Sequence, residues 1–248
     1  MSEQLLEMLE KEIYGLAIGA GACDLGVADL SQAKARALVE EQGGARLSLF
    51  PRAVSFAMRL QDGLVDDLPE GHREPVTSRL YDAHIYKTVN GSLDQIGLGI
   101  SRVLQDEGHT AVSIPASLYV DGDEFLGPLP HKLAARLAGI GWVGKSALLV
   151  TRNFGPRVRL GTVLTDAPLP AGEPPQDRCG SCEKCVEACP SGALLGRSFS
   201  EDEPVGSRMD VRACRDYRRG LKETTGAQTC GVCVSVCPQG SRRRNRLL

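Results

Sequence analysis

The chain has 248 residues, with 29 Lys and Arg against 31 Asp and Glu and a net charge of −2. That length suits one large and one small domain, and the near-neutral balance argues against a nucleic-acid surface spread over the whole molecule. No apolar run approaches the roughly 20 residues of a membrane span, and the amphipathic N-terminus MSEQLLEMLEKEIYG has neither a signal core nor a twin-arginine pair. A soluble, cytoplasmic protein with reduced thiols and no membrane partner is expected.

Leu5, Leu6, Leu9, Ile13 and Leu16 lie near helical spacing and predict a first helix over residues 3–20. CDLGVADL (23–30) reads as a strand, and Ser31 is an N-cap candidate for a helix over 32–42. RAVSFAMRL (52–60) reads as a second strand, and the acidic piece with Pro and Gly from Gln61 to Pro75 as a surface loop. A long helical pattern from Ser78 to Glu107 carries Leu80, His84, Val89, Leu93, Ile96, Ile100 and Leu104 on one face, with glycines at 91, 97 and 99 as candidate interruptions. TAVSIPASLY (110–119) supplies another strand. Pro130 starts a short helix through Leu133, Ala134 and Leu137 that Gly139 ends. Arg157 to Thr165 alternates as a strand, and the Pro-rich stretch 167–178 reads as a linker. Strands alternating with helices predict an α/β core over residues 1–170, followed by a ferredoxin-like domain over 171–240 and a basic tail over 241–248.

The cysteines carry the strongest signal. CGSCEKCVEACP places Cys179, Cys182, Cys185 and Cys189 in the run C-x2-C-x2-C-x3-C-P, the bacterial ferredoxin signature. Cys230, Cys233 and Cys237 form a second run short by one member, and Cys214 is its natural completion. Because the fourth cysteine of such a run serves the neighbouring cluster, the spacing assigns Cys179, Cys182, Cys185 and Cys237 to one [4Fe–4S] cluster. Cys189, Cys214, Cys230 and Cys233 fall to the other. Zinc and disulfides are weaker rivals: the C-x2-C-x2-C triple crowds a single tetrahedral ion, and disulfides belong to oxidising compartments. Cys23, in an apolar stretch, reads as a buried structural thiol.

Gly139-Ile140-Gly141-Trp142-Val143-Gly144-Lys145-Ser146 satisfies G-x4-G-K-S letter for letter. A phosphate-binding loop needs a strand before it and a helix after it, so that the helix N-terminus faces the anion. Here a helical pattern precedes the loop and strand-like ALLVT follows it. A structural turn, or a loop against a large flat cofactor, are the readings left open.

HKLAARLAGIGWVGKSALLVTRNFGPRVRLGTVLTD, then CGSCEKCVEACPSGAL, a lone cysteine and CGVCVSVCPQG, together resemble the epoxyqueuosine reductase and reductive dehalogenase family, most closely over residues 131–240. The resemblance implies a nitroreductase-like α+β core that binds cobalamin, with two [4Fe–4S] clusters passing single electrons to the cobalt. It also implies a corrinoid-binding role for Gly139, Gly141, Trp142, Gly144, Lys145 and Ser146. Three features depart from the family pattern. The chain stops soon after Gly240, without the helical-repeat extension that helps those enzymes hold tRNA. Counting back from the loop to the catalytic aspartate of their D-[ST]-x-P motif lands on Phe125, with Asp121, Asp123 and Glu124 nearby. The twin-arginine signal of secreted dehalogenases is absent.

Asp123 is therefore a general-acid candidate, weighed against a solvated acidic turn. His131 is a candidate cobalt ligand or proton donor, weighed against a solvent-facing residue at a helix start. Tyr81, Tyr86 and Tyr119 read as packing residues. Arg242, Arg243, Arg244 and Arg246 read as a solubilising tail, with RNA or an acidic protein as the alternative partner. The expected function is a cytoplasmic iron–sulfur oxidoreductase fed by an external low-potential donor of the ferredoxin or flavodoxin type. It would reduce a bound corrinoid, or a small-molecule substrate through it. The alternatives are an epoxyqueuosine reductase acting on tRNA, against which the departures weigh, and a ferredoxin-like electron carrier without a corrinoid.

Overall fold

The computed structural model describes residues 2–118 and 127–241. Its elements begin with α1 (Glu3–Gly19), β1 (Asp24–Asp29), α2 (Ala33–Leu47) and β2 (Arg52–Arg59), and continue with α3 (Asp62–Asp66), α4 (Leu68–Gly71) and α5 (Pro75–Ala83). A π-helical turn, His84–Val89, leads into α6 (Asn90–Asp106), β3 (Ala111–Ile114) and α7 (His131–Leu137). Then follow β4 (Gly141–Val143), β5 (Leu149–Thr151), β6 (Val158–Thr165), α8 (Lys184–Glu187), α9 (Val211–Thr225), α10 (Val232–Ser235) and α11 (Pro238–Ser241).

The chain forms two compact units. The first comprises Met1–Met58, Val89–Ile140 and Arg159–Pro175, and the second Arg59–Thr88, Gly141–Val158 and Gln176–Leu248. The cysteine-bearing unit thus takes in two segments from before residue 170, Arg59–Thr88 and Gly141–Val158. The reason is apolar supply, because Val65 and Leu68, both fully buried, and Tyr81 come from the first borrowed segment.

In the first unit a four-stranded sheet runs in the order β1-β2-β6-β3, with β1 and β2 antiparallel (Val27 opposite Val54) and β3 and β6 antiparallel (Ile114 opposite Thr162). Helix α6 lies on β3, and α1 packs on α6 and β1. The α6 pattern holds through its glycines because Gly97 is where helix and sheet meet: a Cβ there would stand 2.3 Å from Ser113 Oγ and 3.6 Å from the Phe56 ring. The predicted long helix breaks earlier, at the π-helical turn. Ser31 does not cap α2; its N–H and Oγ both donate to Asp29 Oδ1, at 2.9 and 2.6 Å. Gly139 ends α7 as expected, at φ +82°. Residues after it are no free linker: Gly172 N–H donates to Val27 O at 2.8 Å and Leu169 is 2% exposed.

In the second unit α3, α4 and α5 pack together, α5 lies on α9, and α10 contacts α3, α4 and α8. Ser78 Oγ and Thr225 Oγ1 meet at 3.2 Å, and Arg79 Nε donates to Thr225 O at 2.7 Å. Asp210 caps α9 by accepting from Ala213 N–H, and Gly226 ends it in the left-handed region. The piece from Gln61 to Pro75, expected as a surface loop, is two helices. Its carboxylates Asp62 and Asp66 misled the reading, because both are engaged by Arg157 and do not face water alone.

Gly26 sits where the carbonyl of Ala138 approaches β1, and a Cβ there would stand 2.3 Å from that oxygen. Gly26→Ala should lower stability by about 1–3 kcal/mol, the usual penalty of overpacking. Gly15→Ala, with open space around the new methyl on helix α1, should instead gain up to about 1 kcal/mol. Thermal unfolding of the two variants beside the parent checks both signs.

Candidate metal centre

Each cysteine is positioned by a short element. Cys179 and Cys182 share a turn closed by Cys182 N–H donating to Cys179 O at 3.0 Å, with Gly180 at φ +52°. Cys185 lies on α8 and Cys189 just beyond it, where Ser191 Oγ stands 3.4 Å from the Cys189 sulfur. Cys214 is on α9, Cys233 on α10, and Cys230 and Cys237 flank α10. Gly231 turns the chain at φ +75°, and a Cβ there would drive into Leu68 and the Tyr81 ring at 2.6 Å. All eight are half-buried.

Their mutual electrostatics fall into two groups. Burial, then the charges of Cys237, Cys179 and Cys182, push the Cys185 thiol up to about 11. The Cys237 thiol is raised by burial and by Cys179 and Cys182. In the other group, Cys230 is pushed up to about 11 by burial and then by Cys214 and Cys189, against the help of a Val232 N–H. Cys233, the most enclosed, is raised by burial and by Cys230 and Cys214, and it also senses Cys185 across the groups. Cys214 is raised by burial, with Arg218 opposing. Burial works to raise Cys189 as well, but hydrogen bonds from Ser191, Ala193 and Leu194 outweigh it and leave the thiol below its ordinary value. Thiols that disfavour one another's ionisation need positive charge among them to become ligands, which bound iron supplies. Among the described residues no three His, Cys, Asp or Glu side chains converge on a single-ion site.

The glycine loop belongs to this centre. β4 and β5 form a hairpin, with Trp142 opposite Val150. No helix follows Lys145, so the arrangement that a phosphate loop requires is missing. Trp142, Lys145 and Ser146 are buried at 2, 7 and 6% exposure. A Cβ on Gly144 would lie 3.2 Å from the Cys179 sulfur, and one on Gly141 would lie 2.4 Å from Val150 O. Lys145 Nζ reaches Glu183 Oε1 at 3.3 Å, between cysteines 182 and 185. The neighbours of the loop are thus a cysteine sulfur and its flanking carboxylate. Of the residues expected to bind a corrinoid (Gly139, Gly141, Trp142, Gly144, Lys145 and Ser146), Gly139 faces Glu173 O in the first unit and Gly144 faces the Cys179 sulfur. The buried indole N–H beside Cys179, and a cradle that any Cβ would fill, suit an iron–sulfur cluster.

His131 opens α7 and is half-buried. Its Nε2–H donates to Pro115 O at 3.1 Å, so Nδ1 accepts from Thr162 Oγ1 at 2.8 Å. Burial of the ring lowers its pKa to about 4. Both nitrogens are committed, which leaves none to ligate cobalt in this conformation. Asp121, Asp123, Glu124, Tyr119 and Arg242–Arg246 lie outside the described residues. Tyr81 is buried as a packing residue, and Tyr86 OH accepts from Arg218 at 3.3 Å. Cys23 is half-buried at the start of β1.

Sequence reasoning missed the polar frame of the centre. Arg157, 2% exposed, donates to Asp66 Oδ1 at 2.8 Å, Asp62 Oδ1 at 3.3 Å and Ser235 O at 3.2 Å. It thereby ties α3 to the helix that carries Cys233. His72 donates from Nδ1 to Leu68 O and accepts at Nε2 from Tyr217 OH, both at 2.8 Å, which ties α4 to α9. The first Arg in FGPRVRLG and the His in EGHREP carry no local signal of these roles.

Comparison with known proteins supplies the context. Residues 178–240 match the 4Fe-4S double cluster binding domain. The chain is 41% identical over 136 residues to the epoxyqueuosine reductase of Yersinia pestis, covering 54% of this chain and 32% of that one. It is 33% identical over 126 residues to that of Bacillus anthracis, covering 46% and 30%. Solved structures agree over 95% of this chain. An epoxyqueuosine reductase with an epoxyqueuosine-modified tRNA-Tyr stem loop gives a TM-score of 0.64 at 20% identity, over 66% of that chain. A reductive dehalogenase described in terms of B12-dependent dehalogenation gives 0.65 at 19%, over 33% of that chain. The chain has the fold of epoxyqueuosine reductases and reductive dehalogenases. It is an iron–sulfur protein that resembles the former in sequence and carries a double [4Fe–4S] domain. The alignments span about a third of the length of these two curated relatives. No described helix is long and apolar enough to cross a membrane.

Two outcomes follow from the geometry. With a folded-state pKa near 4 against 6.5 unfolded, His131 supplies stability that is present above pH 6.5 and lost as pH falls toward 4. Between pH 7 and 5 the parent should lose about 2 kcal/mol more than His131→Gln, measured as thermal stability of the anaerobic protein. Arg157→Met removes the buried cation from the half-buried Asp62 and Asp66 and the donor from Ser235 O and should cost about 1–3 kcal/mol, read as a lower melting temperature together with faster loss of cluster absorbance.

Proposed function

We propose that this protein is a corrinoid-dependent iron–sulfur reductase. An external low-potential donor feeds one electron at a time into two [4Fe–4S] clusters, held by Cys179, Cys182, Cys185 and Cys237 and by Cys189, Cys214, Cys230 and Cys233. The observation that carries this reading is the division of the thiols into two electrostatic groups, Cys185 and Cys237 with Cys179 and Cys182, and Cys230 and Cys233 with Cys214 and Cys189. The charge of Cys185 is also felt at Cys233, which favours electron passage between the two groups. Two clusters that each move one electron suit a two-electron reduction, and [4Fe–4S] potentials reach about −700 mV, low enough to serve cobalt. A bound corrinoid would supply Co(I), a strong nucleophile and reductant. The glycine loop serves it through the cluster whose sulfur the loop holds, not by laying its own side chains against the corrin.

For the substrate, sequence similarity favours epoxyqueuosine in tRNA over the corrinoid itself, because the curated relatives carry that activity in their names and one neighbour holds a modified tRNA stem loop. The expectation against tRNA leaned on an aspartate stretch that lies outside the described residues and on where the chain ends, and neither weighs further.

Anaerobically purified protein should hold about eight iron and eight sulfide per chain and shift the visible spectrum of added cobalamin. It should also reduce epoxyqueuosine in a tRNA stem loop when supplied with a low-potential reductant. Cys214→Ser should damage one cluster and spare its neighbour. Full clusters with an unshifted cobalamin spectrum would leave a plain electron carrier and end the corrinoid reading; cobalamin binding with no turnover of the stem loop would end the tRNA reading.

A further inference from the structure

The single tryptophan of the chain is buried at 2% exposure, yet its Nε1 is without a conventional hydrogen-bond partner among the described residues. An indole N–H in that state costs free energy unless something polar receives it. The hairpin lies against the Cys179 sulfur; burial raises the pKa of that thiol, while the backbone N–H of Lys145 and the indole N–H both act the other way and favour its thiolate. Gly144, between them in sequence, has room for no side chain: a Cβ would meet Val150 Cγ2 at 2.8 Å and the sulfur at 3.2 Å. The hairpin is kept at some strain, for Ala147 adopts φ +56° where a glycine would be at ease. Gly144 N–H and Ala147 N–H close the turn internally, onto Leu148 O and Gly144 O at 2.9 Å each. Glu183 holds the Lys145 side chain from the cysteine segment itself, which pins hairpin and ligand turn together.

We infer that the Trp142–Lys145 turn is a built-in electrostatic clamp on Cys179, whose two N–H groups set the reduction potential of the cluster that Cys179 holds. The inference rests on the two-cluster reading above and does not depend on the corrinoid. N–H groups directed at a cluster sulfur stabilise the more negative, reduced state, so they raise the midpoint of that cluster alone. Trp142 is thus a positioning residue for electron transfer: it acts through the ligand sulfur and touches no substrate.

Because Trp142 is the sole tryptophan, indole-15N tryptophan labels one site. In the dithionite-reduced holoprotein, electron–nuclear double resonance should detect a 15N coupling on the signal of one cluster. Trp142→Phe keeps the ring and removes the N–H. In an anaerobic potentiometric titration followed by electron paramagnetic resonance, the ratio of reduced to oxidised cluster at a given potential should fall about tenfold for one cluster, a 59 mV drop in its midpoint, with the second cluster unmoved. Intact cluster signals with both midpoints unchanged would overturn the inference. So would a labelled parent without 15N coupling, a result that stands even if the Phe variant fails to assemble. Absence of iron–sulfur signals altogether would instead sink the cluster reading on which the inference rests.

Discussion

Crowding thiolates is the constraint around which the second unit is built. Burial raises the pKa of Cys185 and Cys230, and the charge of neighbouring cysteines raises it further, so the bare arrangement resists the ionised form these ligands require. Iron reverses that sign, and the stability of the module is therefore coupled to its metal. Until the metal arrives, other interactions must hold the ligand turns in register. The buried Arg157 with its two aspartates, the His72–Tyr217 pair and the Thr225 hydroxyl network do this without a thiol among them. They explain why the unit recruits residues 59–88: a short, cysteine-dense, glycine-punctuated stretch has too few apolar and polar anchors of its own.

The glycine loop shows how one motif serves different anions. Glycines let backbone N–H groups approach a negative centre closely, and that holds for a phosphate oxygen as for a thiolate sulfur. What decides between them is the element that follows. A helix would add its N-terminal dipole and the space for a phosphate chain; a strand folded back as a hairpin leaves a narrow cradle with a cysteine at its mouth. The lysine that would reach phosphate in one setting is buried here against Glu183. Letter-for-letter agreement with a motif carries little weight when its secondary-structure context is reversed.

The first unit follows more ordinary rules. Its sheet is closed by close approaches that only glycine permits, at Gly26 against the Ala138 carbonyl and at Gly161 against the Phe56 ring. Its one conspicuous histidine is spent on structure, locked between a threonine hydroxyl and a carbonyl. A histidine at a helix start near a presumed pocket invites a catalytic reading from sequence, and a pKa held down by burial answers it: this imidazole is neutral across the physiological range.

Local pattern was enough for much of this protein. Helical spacing in MSEQLLEMLEKEIYG, the alternation in RAVSFAMRL, the Pro130 start and Gly139 stop of α7, and above all the cysteine runs each depend on near neighbours in the chain, and near neighbours are what a sequence displays. The two units were not legible, because the second is assembled from three separated segments. Asp62 and Asp66 look like solvated loop residues until Arg157, almost a hundred positions away, is folded against them. Trp142 looks like a wall for a flat ligand until the hairpin turns its N–H toward Cys179. Charge neutralisation and the direction of a buried N–H are properties of residues that meet only in three dimensions, and for those the chain had to be seen folded.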